Sequence, residues 1–239
     1  MTRIDGRAHD ELRPIKITTD FIQFAEGSCL IECGNTKVLC CASVEERVPP
    51  HVAEGSGWVT AEYSMLPRAN RQRSRRDIDK LKLSGRSAEI QRLIGRSLRA
   101  AVDRELLGPR TITVDCDVLQ GDGGTRTASV TGGFIALALA CKKLMEQGLI
   151  EKNPVKHYVA GISAGIVGET PLLDLCYEED SRAEVDLNCI MDDSLSIIEL
   201  QGTGEGRAFT VAEQQTLVTL CQKGLEERIE KQKEIVGEL

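Results

Sequence analysis

QGDGGTRTASVTGG, residues 120–133, lies between two segments of opposite character. Upstream, TITVDCDVL (Thr111 to Leu119) is β-branched and apolar and reads as a buried strand. Downstream, FIALALACKKLMEQG reads as a buried helix that ends at Gly148. The quoted stretch is therefore a strand-to-helix turn. Such a turn leaves the first N–H groups of the helix without carbonyl partners, at the positive end of the helix dipole, where an anion is favoured. Gly121, Gly123 and Gly124 let the backbone approach a ligand closely, Thr125 is expected to cap the helix, and Arg126 adds a forked full charge. Phosphate fits that set of groups. A glycine-rich connection with a capping threonine accounts for the same local sequence. The turn is not a P-loop, because no lysine follows the glycines at the Walker spacing.

A chain of 239 residues with 41% hydrophobic content can bury a core as one large or two small domains. The N-terminal MTRIDGRAHDELRP lacks the apolar stretch of a signal peptide, and no run approaches the roughly 18 consecutive apolar residues of a membrane span. The expectation is a cytoplasmic protein with no membrane partner. Of nine cysteines, Cys29, Cys33, Cys116, Cys176 and Cys189 stand singly in apolar runs, and no CxxC pair occurs, which favours reduced, buried thiols. Cys40 and Cys41 are adjacent on a strand and so point to opposite faces. The three histidines, His9, His51 and His157, fall in unrelated segments, which argues against zinc hydrolysis and against a histidine-based triad.

The net charge of -7 hides a strong asymmetry. From Arg68 to Arg104 there are 12 Lys/Arg against 4 Asp/Glu, whereas the rest of the chain carries 18 against 33. A basic stripe on an acidic protein marks a partner-binding surface.

Along the chain, IKITTDFIQFAEGSCLIECGNTKVLCCASVEE forms apolar β-rich runs broken at Glu26-Gly27 and at Gly34-Asn35, the second a hairpin-type turn. GWVTAEYSMLP continues as strand or extended chain, and RANRQRSRRDIDKLK then reads as a long basic loop. SAEIQRLIGRSLRAAVDRELLG (Ser87 to Gly108) reads as one helix. Ile90, Leu93, Ile94, Leu98, Ala101 and Val102 share a face, while Arg92, Arg96 and Arg99 fall within about 60° of each other on the opposite side. That arginine stripe is either a ligand surface or a solvated face partly neutralised by Asp103, four residues after Arg99. HYVAGISAGIVGETPLLDLCYEED follows as strand, turn and strand. Gly168-Glu-Thr170 repeats the spacing of Gly34-Asn-Thr36 and hints at a duplicated unit. VDLNCIM and LSIIELQG add two strands, and Thr210 is placed to cap a closing helix. The sum is a single α+β domain over residues 1–239, built of two pseudo-repeated βα sub-domains, about 1–150 and 151–239. Within it, YEEDSRAEVDLN carries Glu178, Glu179, Asp180, Glu184 and Asp186, which suit a solvated acidic loop or a hard-cation and proton-transfer site.

Seven blocks in one order, RIDGRAHDELRPI, AEGSCLIECGNTKVL, GWVTAEYSMLPRA, SGRSAEIQRLIGRSLRAAVD, DVLQGDGGTRTASVTGG, EEDSRAEVDLN and IIELQGTGEG, make nearly the whole chain resemble the ribonuclease PH family. The resemblance implies an RNase PH-like fold and a phosphate-dependent 3′-to-5′ exoribonuclease that trims nucleotides beyond the 3′-CCA end of precursor tRNA. It implies that Arg86, Gly124, Thr125 and Arg126 hold inorganic phosphate, and that Asp180 and Asp186 support catalysis with Mg²⁺. Arg68, Arg71, Arg73, Arg75, Arg76, Arg92, Arg96 and Arg99 would then grip the RNA backbone in a homo-oligomer, a hexamer arranged as a trimer of dimers. Phosphate itself attacks the last phosphodiester in such a reaction, a nucleoside diphosphate departs, and the exchange is reversible. The rival reading is a non-catalytic ring subunit of an exosome-like assembly. Subunits of that kind tend to lose the phosphate arginine and the aspartates, which this chain keeps. A polynucleotide phosphorylase would need a second copy of the core and added RNA-binding domains, for which 239 residues leave no space.

Overall fold

Alternating apolar and polar residues build the first sheet. In a computed structural model that describes residues 3–76 and 84–239, β1 (Ile15–Thr19), β2 (Gly27–Cys33), β3 (Thr36–Glu45), β4 (Trp58–Met65) and β5 (Thr111–Gln120) lie in the order β1-β2-β3-β5-β4. Val38, Cys40 and Ala42 of β3 and Val114, Cys116 and Val118 of β5 point into the core, and the residues between them point away. β2 and β3 form the expected hairpin across Gly34-Asn35, with Gly34 in the left-handed region at φ 55°. β4 runs parallel to β5, a pairing that requires a crossover, and α1 (Gly85–Ala100) lies in that connection and packs on β4.

The helix expected over Ser87 to Gly108 is broken. α1 ends at Ala100, Val102 pairs with Val155, and a separate turn of helix, α2 (Arg104–Leu107), follows. Asp103 causes the restart: its carboxylate accepts the amides of Glu105 and Leu106 as an N-cap. It is therefore engaged in capping, and not placed to neutralise the stripe through Arg99.

The second sheet contains β6 (Val159–Val167), β7 (Thr170–Leu173), β8 (Val185–Asp192) and β9 (Ile197–Gly204) in the order β7-β6-β8-β9, antiparallel throughout. Every residue of β6 is buried, because both α3 (Thr125–Glu146) and α5 (Val211–Val236) pack on it. α3 also covers β2, β3 and β5, so it is the element on which both sheets rest. Among the described residues it is the one helix long and apolar enough to cross a membrane, but most of it is buried inside the protein. Its apolar character comes from this all-round burial. α5 starts at Thr210 as expected, in a capping box with Glu213.

Phe134, Leu137, Ile31, Leu98 and Ile162 are fully buried in one core that joins the sheets, where truncating a leucine or isoleucine to alanine typically costs about 2–5 kcal/mol. The nine cysteines are free thiols, seven of them buried, with Cys41 and Cys176 half-buried. YEEDSRAEVDLN is not a loop in the main: its first four residues form the short helix α4 (Tyr177–Asp180), and its last four enter β8. Of the segment read as a basic loop, residues 77–82 lie outside the described part.

Candidate active site

The quoted turn closes over a cleft of about 1070 Å³ where the two sheets meet. Gly121, Asp122, Gly123, Gly124, Thr125 and Arg126 of the β5–α3 turn line it on the side of the first sheet, and Asp180, Asp186 and Asn188, from α4 and β8, line it from the second. Arg86, at the start of α1, and Arg71 and Arg73, from the described part of the basic loop, complete the rim. Residues far apart in sequence thus meet in one cleft.

Two of the glycines have specific steric reasons. Gly123 has φ 77°, and a Cβ there would stand 2.5 Å from the carbonyl oxygen of Leu175. Gly124 has φ 64° and is itself the N-cap of α3; a Cβ there would lie 2.8 Å from Nη2 of Arg13. Thr125 does not cap the helix, contrary to expectation. As the first helical residue it turns its hydroxyl toward β4, where Oγ1 lies 2.9 Å from the Tyr63 hydroxyl, and no side chain caps the helix; the Thr127 hydroxyl donates to the Gly124 carbonyl. The amides of Thr125 and Arg126 have no protein acceptor among the described residues and open the helix toward the cleft.

Arg126 is anchored from the side. Its Nη1 donates to Oε1 of Gln201 at 2.8 Å and lies 3.5 Å from Glu89, while Gln201 donates to Glu89 at 3.0 Å. β9 and α1 thereby set the direction of the guanidinium. Arg86 is exposed, and its charge acts on Asp180 and Tyr63.

The carboxylates are under electrostatic stress. Burial raises the Asp180 carboxyl above its ordinary range, against the pull of Arg86 and Arg126. Burial, then repulsion from Asp180, pushes Asp186 up to about 6, with Arg126 and a 3.1 Å hydrogen bond from Asn188 acting the other way. Two hard oxygen donors that repel each other in a half-buried cleft fit Mg²⁺. That ion is commonly held by one or two carboxylates plus substrate phosphates, not by an all-protein cage.

The other acidic residues have different tasks. Glu179 is buried and paired with Arg3 at 2.7 Å, Glu178 pairs with Arg182, and Glu184 with Arg207. The arginine stripe faces elsewhere. Arg92, Arg96 and Arg99 line a second, smaller hollow with Thr60 and Ala61. Arg96 is paired with Glu199 at 2.6 Å, and Arg99 stacks on Trp58 at 4.5 Å and donates to the Val59 carbonyl. Arg68 donates to the Arg71 carbonyl, and Arg76 acts on Asp117 on the outer face of the first sheet. Arg68, Arg75 and Arg76 are exposed outside the residues that line the main cleft.

Sequence reasoning assigned no role to Arg3, Arg7, Arg13, Asp174 or Arg228, all of which brace the cleft from behind. Burial alone would raise Asp174, yet Arg228 and Arg13 hold it well below the usual carboxylate range. For Arg3, Arg7 and Arg13 the only signal was the arginine spacing in RIDGRAHDELRP, which has no periodicity to mark it as buried; Asp174 and Arg228 stand singly in other segments.

Two family models match in the order the chain presents: 3′ exoribonuclease family domain 1 over residues 11–143 and domain 2 over residues 157–224. The chain belongs to the ribonuclease PH family. It is 59% identical to ribonuclease PH of Bacillus subtilis over 238 residues, covering 99% of this chain and 97% of that one. It is 56% identical to ribonuclease PH of Bacillus pumilus over 239 residues, with 99% of each covered. Among solved structures, it is similar to an Archaeoglobus fulgidus exosome with RNA bound to the active site, at TM-score 0.82 and 24% identity over 96% of this chain and 91% of that one. It is also similar to rice (Oryza sativa) Rrp46, at TM-score 0.74 and 16% identity over 98% of each chain. These two likenesses concern the fold, which is the α+β, RNase PH-like architecture described above. As a ribonuclease PH family member at this identity and coverage, the chain is a phosphorolytic 3′ exoribonuclease, with RNA and phosphate as its substrates.

Proposed function

We propose that the chain trims the 3′ ends of precursor tRNA beyond CCA, with inorganic phosphate held by Arg126, Arg86 and the backbone of Gly124 and Thr125. The observation that carries this reading is the meeting, in one cleft, of an arginine-flanked helix N-terminus with two carboxylates on the opposite wall. Phosphate and the scissile phosphodiester are both anions, so their approach requires fixed cations and backbone donors. Arg126, aimed by Gln201 and Glu89, and Arg86 supply the charge. A phosphate oxygen attacks the terminal phosphorus, the bond to the 3′ oxygen of the preceding nucleotide breaks, and that oxygen leaves with a proton. Asp186, pushed up to about 6, is suited to hold a proton near neutral pH. The product is a nucleoside 5′-diphosphate, and the retained bond energy makes the reaction reversible.

Asp180, joined by Asp186 in its deprotonated form, would hold Mg²⁺, which supplies charge neutralisation for the scissile group. The exposed arginines Arg68, Arg71, Arg73, Arg75, Arg76, Arg92 and Arg96 would follow the RNA backbone, together with the half-buried Arg99. A single copy offers only a short basic surface, and Phe24 is 87% exposed beside the half-exposed Phe21. Both features fit a closed homo-oligomer, a hexamer built as a trimer of dimers. Static light scattering at assay concentrations tests this; a monomer mass under active conditions refutes it. The activity itself is tested by incubating RNA with and without phosphate and separating the products. Diphosphates that appear only with phosphate support the reading, and monophosphates released equally without phosphate overturn it.

A further inference from the structure

Behind the cleft, a buried network ties its two walls together. Asp174, at φ 53° and fully buried, accepts from the Arg13 amide at 2.9 Å, from Nη2 of Arg13 at 2.7 Å and from Nη2 of Arg228 at 2.9 Å. Arg13 then reaches forward. Its Nη1 donates to the Asp122 carbonyl at 2.6 Å, within the glycine-rich turn. On the other side, Arg3 holds both carboxylate oxygens of Glu179, at 2.8 and 2.7 Å, and donates to the carbonyls of Leu173 and Asp174. Glu179 in turn accepts the Cys176 amide at 3.1 Å and so fixes the first turn of α4, whose last residue is Asp180. Asp122 joins the two sides by accepting the Tyr177 amide at 3.3 Å.

The positions of these groups are not explained by stability alone. Burying five charged side chains behind a cleft is costly unless each is paired, and replacing them with apolar residues would often be neutral or better. What apolar residues cannot do is hold backbone carbonyls at a fixed distance on both walls of a reaction site. We propose that Arg13 and Glu179 are positioning residues with separable tasks: Arg13 sets the turn that binds phosphate, and Glu179, clamped by Arg3, sets the placement of Asp180. The N-terminal arm is then part of the reaction machinery without touching substrate. This inference rests on the assignment of the turn to phosphate and of Asp180 to the reacting centre.

The test is a comparison of Arg13→Lys with Glu179→Gln, with KM for phosphate and kcat measured on one RNA oligonucleotide and kcat expressed per phosphate-binding site counted by equilibrium dialysis. Arg13→Lys keeps the charge for Asp174 but loses the fork that reaches Asp122. It should raise KM for phosphate at least fivefold and change kcat less than threefold. Glu179→Gln keeps an acceptor for the Cys176 amide but releases Arg3. It should lower kcat at least tenfold and leave KM for phosphate within twofold. KM does not depend on how much protein is folded, so a poorly folding Arg13→Lys still reports. Glu179→Asp, which keeps the charge on a shorter arm, should give an intermediate kcat. KM for phosphate and kcat per site unchanged in all variants, with total activity only tracking the folded fraction, would reduce the network to structural support and overturn the proposal. Wild-type protein run alongside separates the two levels: no phosphate-dependent turnover there defeats the underlying assignment, and normal turnover with unresponsive variants defeats only the inference.

Discussion

Tyr63 on β4 and Thr125 in the first turn of α3 meet through their hydroxyls at 2.9 Å, in the buried seam where the first sheet joins the central helix. This contact withdraws Thr125 from capping and fixes the helix end that faces the carboxylates. Tyr63→Phe removes one hydrogen bond and leaves Thr125 Oγ1 able to rotate, so we expect a loss of about 0.5–1.5 kcal/mol. Thr125→Val keeps the shape but strands a buried phenol, and we expect about 1–3 kcal/mol. Denaturant unfolding of both variants measures the pair. A larger loss for Tyr63→Phe than for Thr125→Val would reverse the assignment of which group depends on the other.

Asp186 gives stability a pH dependence of unusual sign for a carboxylate. Its ordinary value is 3.8, and in the folded chain it is pushed up to about 6 by burial and by Asp180. Below about pH 4 it is protonated in both states and contributes nothing. Between about pH 4 and 6 the folded chain keeps a proton that the unfolded chain has released, so this group's contribution falls as pH rises. The full cost, about 3 kcal/mol, is reached above pH 6. In a chelating buffer, Asp186→Asn should therefore match wild type near about pH 4 and exceed its unfolding free energy by up to about 3 kcal/mol at neutrality. A difference that stays constant with pH would remove the shift.

The fold was largely legible because its signals are periodic. Ile90, Leu93, Ile94 and Leu98 share one face of α1 and are all buried, and the glycine turns at Gly34 and Gly168 do join hairpins. The reading failed where a single polar side chain decides the local structure. Asp103 stops one helix by capping the next, and Tyr63, distant in sequence, takes the hydroxyl that made Thr125 look like a cap. In the acidic run, composition marked the region but could not separate Glu179, buried against Arg3, from Asp180, which faces the cleft. That separation depends on the N-terminal arm, whose contacts lie about 170 residues away in sequence.

Removal of Arg126 should act on phosphate use. Arg126→Ala deletes a charge-assisted contact of about 1.5–3 kcal/mol, and we expect KM for phosphate to rise about 10- to 100-fold. Arg86→Ala should act in the same direction. Unchanged phosphate saturation in both variants would exclude these arginines from the anion site.

Arginines of the basic loop should act on RNA instead. Each backbone phosphate neutralised on a single strand contributes a log-log salt slope of about -0.7. Replacing Arg73 and Arg76 together by Ala should flatten the slope of RNA binding while leaving phosphate saturation on a short oligonucleotide nearly unchanged. Asp180→Asn should do the reverse, binding RNA and losing turnover. Filter binding across salt concentrations, paired with rates, decides between the two tasks; full turnover by Asp180→Asn would contradict the division.

The central claim is that phosphate itself is the nucleophile, received by the Gly124-Thr125-Arg126 helix end opposite Asp180 and Asp186. The direct measurement is transfer of radiolabelled inorganic phosphate during RNA degradation, followed by enzymatic dissection of the nucleotides released. Attack by phosphate puts the label in the β position of nucleoside 5′-diphosphates, in proportion to the nucleotides released, and leaves the α position unlabelled. Unlabelled nucleoside monophosphates as the main product would contradict the account.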